Sequence, residues 1–276
     1  MWRFRGDDLT AAQARVEAAF AAGITLFDTA DIYGPDNGEA FGAAEALLGR
    51  VFKAAPGLRD RMVLASKGGI VIGTPYDSRA AYVASAIDAS LTRLATDHID
   101  LWQVHRPDIL THPAELARAL GDAVRAGKIG AVGVSNFTVA QIDALARYLD
   151  VPLASTQPEF SPLCLTPIED GQLDQAMASR LAVLAWSPLG GGRVAAPTTP
   201  RETAVAAVLD EVAAAHGVSR TATAYSWIMA HPAGVIPIVG SQQPERIAEA
   251  ADALKVRWTR PDWYRVLVAS RGVPLP

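Results

Sequence analysis

The sequence predicts an α/β fold whose parallel strands close into a barrel. Three observations carry that expectation. Short, β-branched apolar runs alternate with amphipathic helical stretches along all 276 residues, the pattern of parallel strands joined by helical crossovers. Each run is followed directly by residues that can titrate, hydrogen-bond or stack, as in barrels whose functional side chains gather at the C-terminal strand ends. The G-x-G-x-x-G fingerprint that an open, doubly wound sheet usually carries after its first strand is absent.

The elements follow in order. A helix over 9–22 places Leu9, Ala12, Val16 and Phe20 on one face and stops at Gly23. The run "ITLF" (24–27) ends in Asp28, and "MVLA" (62–65) ends in Ser66 and Lys67. A helix over 78–94 has Ser78 as its cap and Val83, Ile87, Leu91 and Leu94 along a face. "IDLWQV" (99–104) runs into His105, and "IGAVGV" (129–134) runs into Ser135 and Asn136. Thr138 and Gln141 then form a capping-box pattern ahead of Ile142, Leu145 and Leu149. The weaker run "LAST" (153–156) ends in Gln157, while "LAVLAW" (181–186) closes in Trp186 and Ser187. Thr199-Pro200-Arg201-Glu202 is a second capping box, with proline at the first helical position. "VIPIV" (235–239) leads to Gly240 and Ser241. The runs are apolar on both faces, as strands buried on both sides require. No Pro/Gly/Ser linker interrupts the alternation, so a single domain is expected over 1–276.

Composition narrows the function. Half of the residues are hydrophobic and 20% are charged, a globular balance. The net charge of −4 leaves no broad positive field, so nucleic acid is not expected as a partner. No apolar run approaches the roughly 18 residues of a membrane span, and the N-terminal "MWRFRGDDLT" has no signal-peptide core, so no membrane partner is expected. Cys164 is the single cysteine, which rules out an intramolecular disulfide and fits a cytoplasmic location.

Asp28, Tyr33, Lys67 and His105 would meet at one barrel mouth. A free tyrosine, with a pKa of about 10, is a weak acid at neutral pH. A lysine ammonium beside it favours the phenolate, a carboxylate keeps that lysine charged and oriented, and a histidine can hydrogen-bond a substrate oxygen. Together they make a general acid aimed at a carbonyl oxygen. The competing reading of Asp28 and Lys67 is an ion pair that closes the barrel end, and of Tyr33 a loop aromatic.

The segments "FDTADIYG", "ASKGG", "LWQVHRPD", "VGVSNF", "QPEFSP" and "AWSPLGGGR" resemble, in that order, those of the aldo-keto reductases, in particular the bacterial YdhF-like oxidoreductases. The resemblance runs from about Trp2 to the C-terminus and implies a (β/α)8 TIM barrel. It also implies NAD(P)H-dependent reduction of aldehydes or ketones to alcohols, without metal. By motif, Tyr33 would be the proton donor, Lys67 and Asp28 would tune it, and His105 would orient the carbonyl. Ser135, Asn136 and Gln157 would hydrogen-bond the nicotinamide carboxamide, and Trp186 would stack on the ring. Ser187, Leu189 and the loop through Arg193 would run along the pyrophosphate, where the triple glycine 190–192 lets backbone approach phosphate. Gly240, Ser241, Gln242, Arg246 and Glu249 would hold the adenosine end. Arg246 would stack on adenine and reach a 2′-phosphate, which implies NADPH with NADH possible. Gly240 and Ala250 stand where NADPH-preferring relatives often carry a basic residue and an asparagine.

The resemblance further implies that Met1-Trp2-Arg3-Phe4 falls at about the end of the family's first barrel strand. Either the start is assigned too far downstream, or the barrel is expected to lack the N-terminal hairpin and most of that strand, leaving unpaired edge groups. Two other functions compete. One is a metal-dependent barrel hydrolase using His105, Asp108 and His112, for which no second ligand cluster is visible. The other is a catalytically impaired, sensor-like barrel that binds the cofactor without turning it over. The substrate would be lined by 69–77 and the C-terminal segment, where Trp258, Trp263 and Tyr264 form either a substrate wall or helix packing.

Overall fold

The computed structural model describes residues 4–276, so Met1, Trp2 and Arg3, where the first-strand remnant is expected, lie outside the described residues. The chain forms two compact units, one reaching to Gln157 and the other starting at Pro158.

In the first unit, helices and strands alternate: α1 (Leu9–Ala21), β1 (Leu26–Asp28), α2 (Ala43–Ala54), β2 (Val63–Gly68), α3 (Ala80–Leu94), β3 (Ile99–Val104), α4 (Pro113–Arg125), β4 (Ile129–Ser135), α5 (Val139–Ala146) and β5 (Leu153–Gln157). β1 through β5 pair in sequence order, each parallel to the next. The sheet core is Phe27, Leu64, Ile99, Trp102, Val132 and Val134, each at most 1% exposed.

Register brings the functional ends level. Asp28 pairs with Ala65, Lys67 with Gln103, and Ser135 with Gln157. Because side chains alternate faces along a strand, Lys67, Gln103 and Ser155 share the face that Asp28 presents, as their hydrogen bonds confirm. Gly133 makes room on that face. A Cβ there would stand 2.2 Å from Ser155 Oγ and 2.8 Å from Gln103 Cγ.

The Thr138–Gln141 capping box forms as expected at the start of α5. The Ser78 cap does not. α3 starts one residue later, with Arg79 at its N-cap and no side-chain cap bond. Carboxylates from elsewhere do that work: Glu115 accepts the Ala80 N–H at 2.9 Å and Asp77 accepts the Arg79 N–H at 3.0 Å. An ionised carboxylate at a helix N-terminus is favoured over a neutral hydroxyl.

The second unit contains α6 (Thr166–Glu169), α7 (Gln172–Ser179), β6 (Ala182–Ala185), α8 (Pro200–His216), α9 (Arg220–Met229), β7 (Ile236–Pro237), α10 (Pro244–Glu249) and α11 (Arg260–Arg271). β6 and β7 pair in parallel. The Thr199–Glu202 capping box, with Pro200 at the first position, opens α8. β7 is shorter than the run 235–239, since Pro237 has no N–H for the ladder.

The C-terminal aromatics pack. Trp227 and Trp263 stack with centroids 4.8 Å apart, and each indole N–H donates to the other's carbonyl at 3.0 Å. Trp258 donates to Ser226 Oγ at 3.1 Å. Trp258, Trp263 and Tyr264 border a cavity of about 620 Å³ beside residues 229–232, the segment entering β7 and not the one leaving it. That placement favours helix packing over a substrate wall.

Candidate active site

β1 ends in Asp28 and β2 carries Lys67, and the two side chains meet with Nζ 2.5 Å from Oδ2. Both residues are at most 1% exposed. A buried pair survives only when its remaining lone pairs and protons are satisfied, and here they are. Lys67 Nζ also donates to Thr29 O at 2.8 Å, and Asp28 Oδ1 accepts from Gln103 Nε2 and Gln157 Nε2, each at 3.0 Å. Burial opposes the Lys67 ammonium. The Asp28 carboxylate and then Tyr33 outweigh it, so Lys67 is held above its usual pKa.

Tyr33 sits on the turn after β1, with Lys67 Nζ 5.4 Å from its ring centroid and a Lys67–Tyr33 hydrogen bond between the side chains. The turn is closed by Tyr33 N–H donating to Ala30 O and by Ala44 N–H donating to Tyr33 O. Gly34 follows at φ +154°, where a Cβ would stand 2.0 Å from Ala40 O. The His105 ring meets Tyr33 edge-on, centroids 5.7 Å apart at 87°. His105 is fixed by its N–H donating to Gly68 O and by Asn136 Nδ2 donating to its carbonyl. The four residues named from sequence are thus gathered, with Tyr33 and His105 at 9% and 8% exposure at the edge of a buried pair.

Ser135, Asn136 and Gln157 also converge. Ser135 Oγ donates to Gln157 O, Asn136 Nδ2 to Ser135 Oγ, and Asn136 N–H to Gln157 O. Asn136 adopts φ +62°, a left-handed conformation that asparagine tolerates better than most residues. Gln157 reaches two ways, its backbone to this trio and its side chain to Asp28. Gln103 was missed from sequence. The available signal was the two-residue period of "IDLWQV", which puts Gln103 on the same face as His105.

In the second unit, half-buried Trp186 is held by its N–H donating to Pro158 O and by Phe160 N–H donating to its carbonyl. Ser187 stands at φ +51°, and its carbonyl accepts the Gly190 N–H at 2.7 Å. Gly190, Gly191 and Gly192 all have positive φ, and a Cβ on Gly191 or Gly192 would project into open space. Leu189 packs against the cluster of Tyr225, Ala250 and Ala253. Arg193 closes the same loop. Its Nε donates to Gly190 O at 2.7 Å and its guanidinium pairs with Glu202, so it braces the glycine loop. Gly240 is half-buried, and Ser241 Oγ accepts the Gln243 N–H just before α10. Gln242 lies two residues before that short helix, Glu249 is its last residue, and Arg246 is exposed on it.

Within the first unit, Ser135, Asn136 and Gln157 bring amide and hydroxyl groups together. Within the second, Gly191 and Gly192 leave bare backbone with open space beside it, and Arg246 is exposed. His105, Asp108 and His112 do not make a metal site. Asp108 accepts from Ser78 N–H, Leu110 N–H and Thr111 Oγ, and His112 Nδ1 accepts the Ala114 N–H. No group of three potential metal ligands occurs among the described residues, and no described helix is long and apolar enough to cross a membrane.

A family model described as the aldo/keto reductase family matches residues 1–267. The chain is 61% identical to a 6-dehydroglucose reductase of Novosphingobium aromaticivorans, covering all of this chain and 91% of that one. It is 38% identical to a 6-dehydroglucose reductase of Agrobacterium fabrum, covering 99% and 93%, and 37% identical to the oxidoreductase YdhF of Escherichia coli, covering 100% and 93%. Among solved structures, a glycerol dehydrogenase from Gluconobacter oxydans superposes with a TM-score of 0.86 at 28% identity, covering all of this chain and 90% of that one. The likeness bears out the α/β barrel class.

Proposed function

This chain belongs to the aldo/keto reductase family, as an oxidoreductase that reduces carbonyl compounds with a nicotinamide cofactor, and on that premise we propose that Tyr33 is the acid that protonates the carbonyl oxygen. The observation that carries this role is the buried Asp28–Lys67 pair set beside Tyr33 and His105. The cofactor, when bound, supplies the hydride. Tyr33 gives its proton to the oxygen of the aldehyde or ketone, and Lys67 stabilises the phenolate left behind. Asp28 keeps Lys67 charged and aimed, and His105 orients the carbonyl oxygen from the other edge. Gln103 and Gln157 hold Asp28 in turn. Ser135, Asn136 and Gln157 take the carboxamide, Trp186 the nicotinamide face, and the 187–193 loop the pyrophosphate. Residues 1–276 act as one domain, and the location is cytoplasmic.

The substrate is a sugar-derived carbonyl of the 6-dehydroglucose kind, supported by the two relatives of that name at 61% and 38% identity. Purified protein is expected to oxidise NADPH with 6-dehydroglucose at a higher kcat/KM than with an activated aromatic aldehyde. Turnover of the aromatic aldehyde alone would keep the reaction and reject the substrate. No turnover of either, with NADPH or NADH, would reject the function.

NADPH is the preferred cofactor, by a margin reduced because Gly240 offers no charge. Arg246 reads the 2′-phosphate, a task that suits a planar, always-charged guanidinium. Ser241 and Gln242 add neutral hydrogen bonds, and Glu249 meets the adenine amine. A hydrogen bond to a charged group contributes about 1.5–3 kcal/mol, so Arg246→Ala should weaken NADPH binding roughly ten- to a hundredfold and barely touch NADH. Equal losses for both cofactors, measured as dissociation constants, would remove Arg246 from that role.

A further inference from the structure

Asp31 lies between Asp28 and Tyr33 and has no part in the chemistry described above. It is 1% exposed. Its backbone N–H donates to Lys67 O at 3.0 Å, and its carboxyl group accepts from the Ile32 N–H. The carboxyl is wedged against β2, where a Cβ on Gly68 would stand 3.0 Å from Asp31 Oδ2 and 2.7 Å from the Trp102 ring. The other oxygen, Oδ1, has no hydrogen-bond partner among the described residues. An ionised carboxylate is acceptor-only and in such a place would leave lone pairs unsatisfied.

The surrounding charges point the same way. Asp31 is faced by Glu45 from α2, by Arg93 and Tyr82 from α3, and by Lys67 from β2. Both cations are engaged elsewhere. Lys67 Nζ bonds Asp28, and Arg93 Nε bonds Glu45 Oε2 at 2.7 Å, while Ser66 Oγ donates to the other Glu45 oxygen. Three carboxyl groups thus share two cations, and Asp31 is the one left over. A buried charge without a partner is avoided by keeping the proton. Burial first, and then Glu45, push the Asp31 pKa up to about 8 against the opposing pull of Arg93.

We propose that Asp31 is a positioning residue for the carbonyl reduction: as a neutral acid it pins the turn between Asp28 and Tyr33 onto Lys67 and Gly68, and ionisation of Asp31, a charge that its buried seat beside Gly68 and Glu45 does not accommodate, loosens that turn. The role rests on Tyr33 and Lys67 being the reacting machinery proposed above. The backbone makes the coupling direct, since Asp31 N–H to Lys67 O and Tyr33 N–H to Ala30 O lie in one short turn.

The test compares wild type with Asp31→Asn, a neutral isostere that cannot ionise, in two measurements across pH. The first is kcat. Wild type is expected to lose turnover as pH rises through about 8, and Asp31→Asn to lack that fall. The second is thermal stability without cofactor. A carboxyl whose folded pKa is raised binds more protons folded than unfolded, so its stabilising contribution falls from its ordinary range of about 4 upward and levels off above about 8. Asp31→Asn should lose that slope. An unchanged stability slope overturns the neutral acid. A lost slope with an unchanged kcat profile overturns the positioning role. Wild type without turnover on any carbonyl rejects the proposed function and the positioning role with it, while the stability slope still reports the Asp31 proton. Should Asp31→Asn fail to fold, infrared spectra of wild type carrying ¹³C-labelled aspartate decide the matter. A protonated carboxyl band at pH about 6 that vanishes by about 10 supports the neutral acid, and its absence at both overturns it.

Discussion

Tyr33→Phe is expected to lower kcat for carbonyl reduction by roughly 10²–10⁴-fold, the usual worth of a positioned general acid, with NADPH affinity nearly unchanged. The change removes one hydroxyl and keeps the ring. The edge-on contact with His105 and the ring's burial at 9% exposure therefore persist. Lys67 still has Asp28 Oδ2 and Thr29 O as acceptors, so the ammonium is not stranded. Folding should survive, and thermal melting checks that it has. What is lost is the proton delivered as the alkoxide forms, an interaction made in the transition state. Such losses fall on kcat and on kcat/KM alike. Cofactor binding, read by titration without substrate, separates this outcome from a collapsed site. Wild-type turnover by Tyr33→Phe would assign the acid to another group, with His105 the nearest ring.

Much of this arrangement was legible in the sequence because strand ends announce themselves. A carboxylate after "ITLF", a lysine after "MVLA" and a histidine after "IDLWQV" stand out against apolar runs, and parallel register brings them level. Capping boxes at Thr138 and Thr199 were equally readable, since cap and partner lie three residues apart. What escaped depends on contacts distant in sequence. Gln103 reads as one polar residue in a buried strand until Asp28, 75 positions away, accepts its amide. Ser78 matches a cap locally and is displaced by Glu115, which reaches Ala80 from another helix. The excess acid at Asp31 is invisible without Glu45 and Arg93 beside it.

Lys67→Met is the harsher change, because it leaves Asp28 buried without its cation. Breaking a buried pair from one side costs about 3–5 kcal/mol, and the amides of Gln103 and Gln157 on Asp28 Oδ1 place the loss toward the lower end. The sign follows from the wild-type ammonium. A lysine held above its usual pKa by Asp28 contributes stability throughout the range below about 10.4 and loses it only as pH rises through the folded value. The deficit of Lys67→Met should therefore be full at neutral pH and close only in strong alkali. Activity should fall as well, with the pH profile moved and not merely scaled, since the phenolate of Tyr33 loses its stabilising charge. The double variant Asp28→Asn/Lys67→Met separates fold from chemistry. With neither charge present, the buried site holds no unpaired ion, and much of the melting temperature should return. Turnover should not return, because nothing replaces the ammonium beside Tyr33. Recovery of both stability and turnover, with a wild-type pH optimum, would make Lys67 a structural partner of Asp28 and leave Tyr33 to act without it.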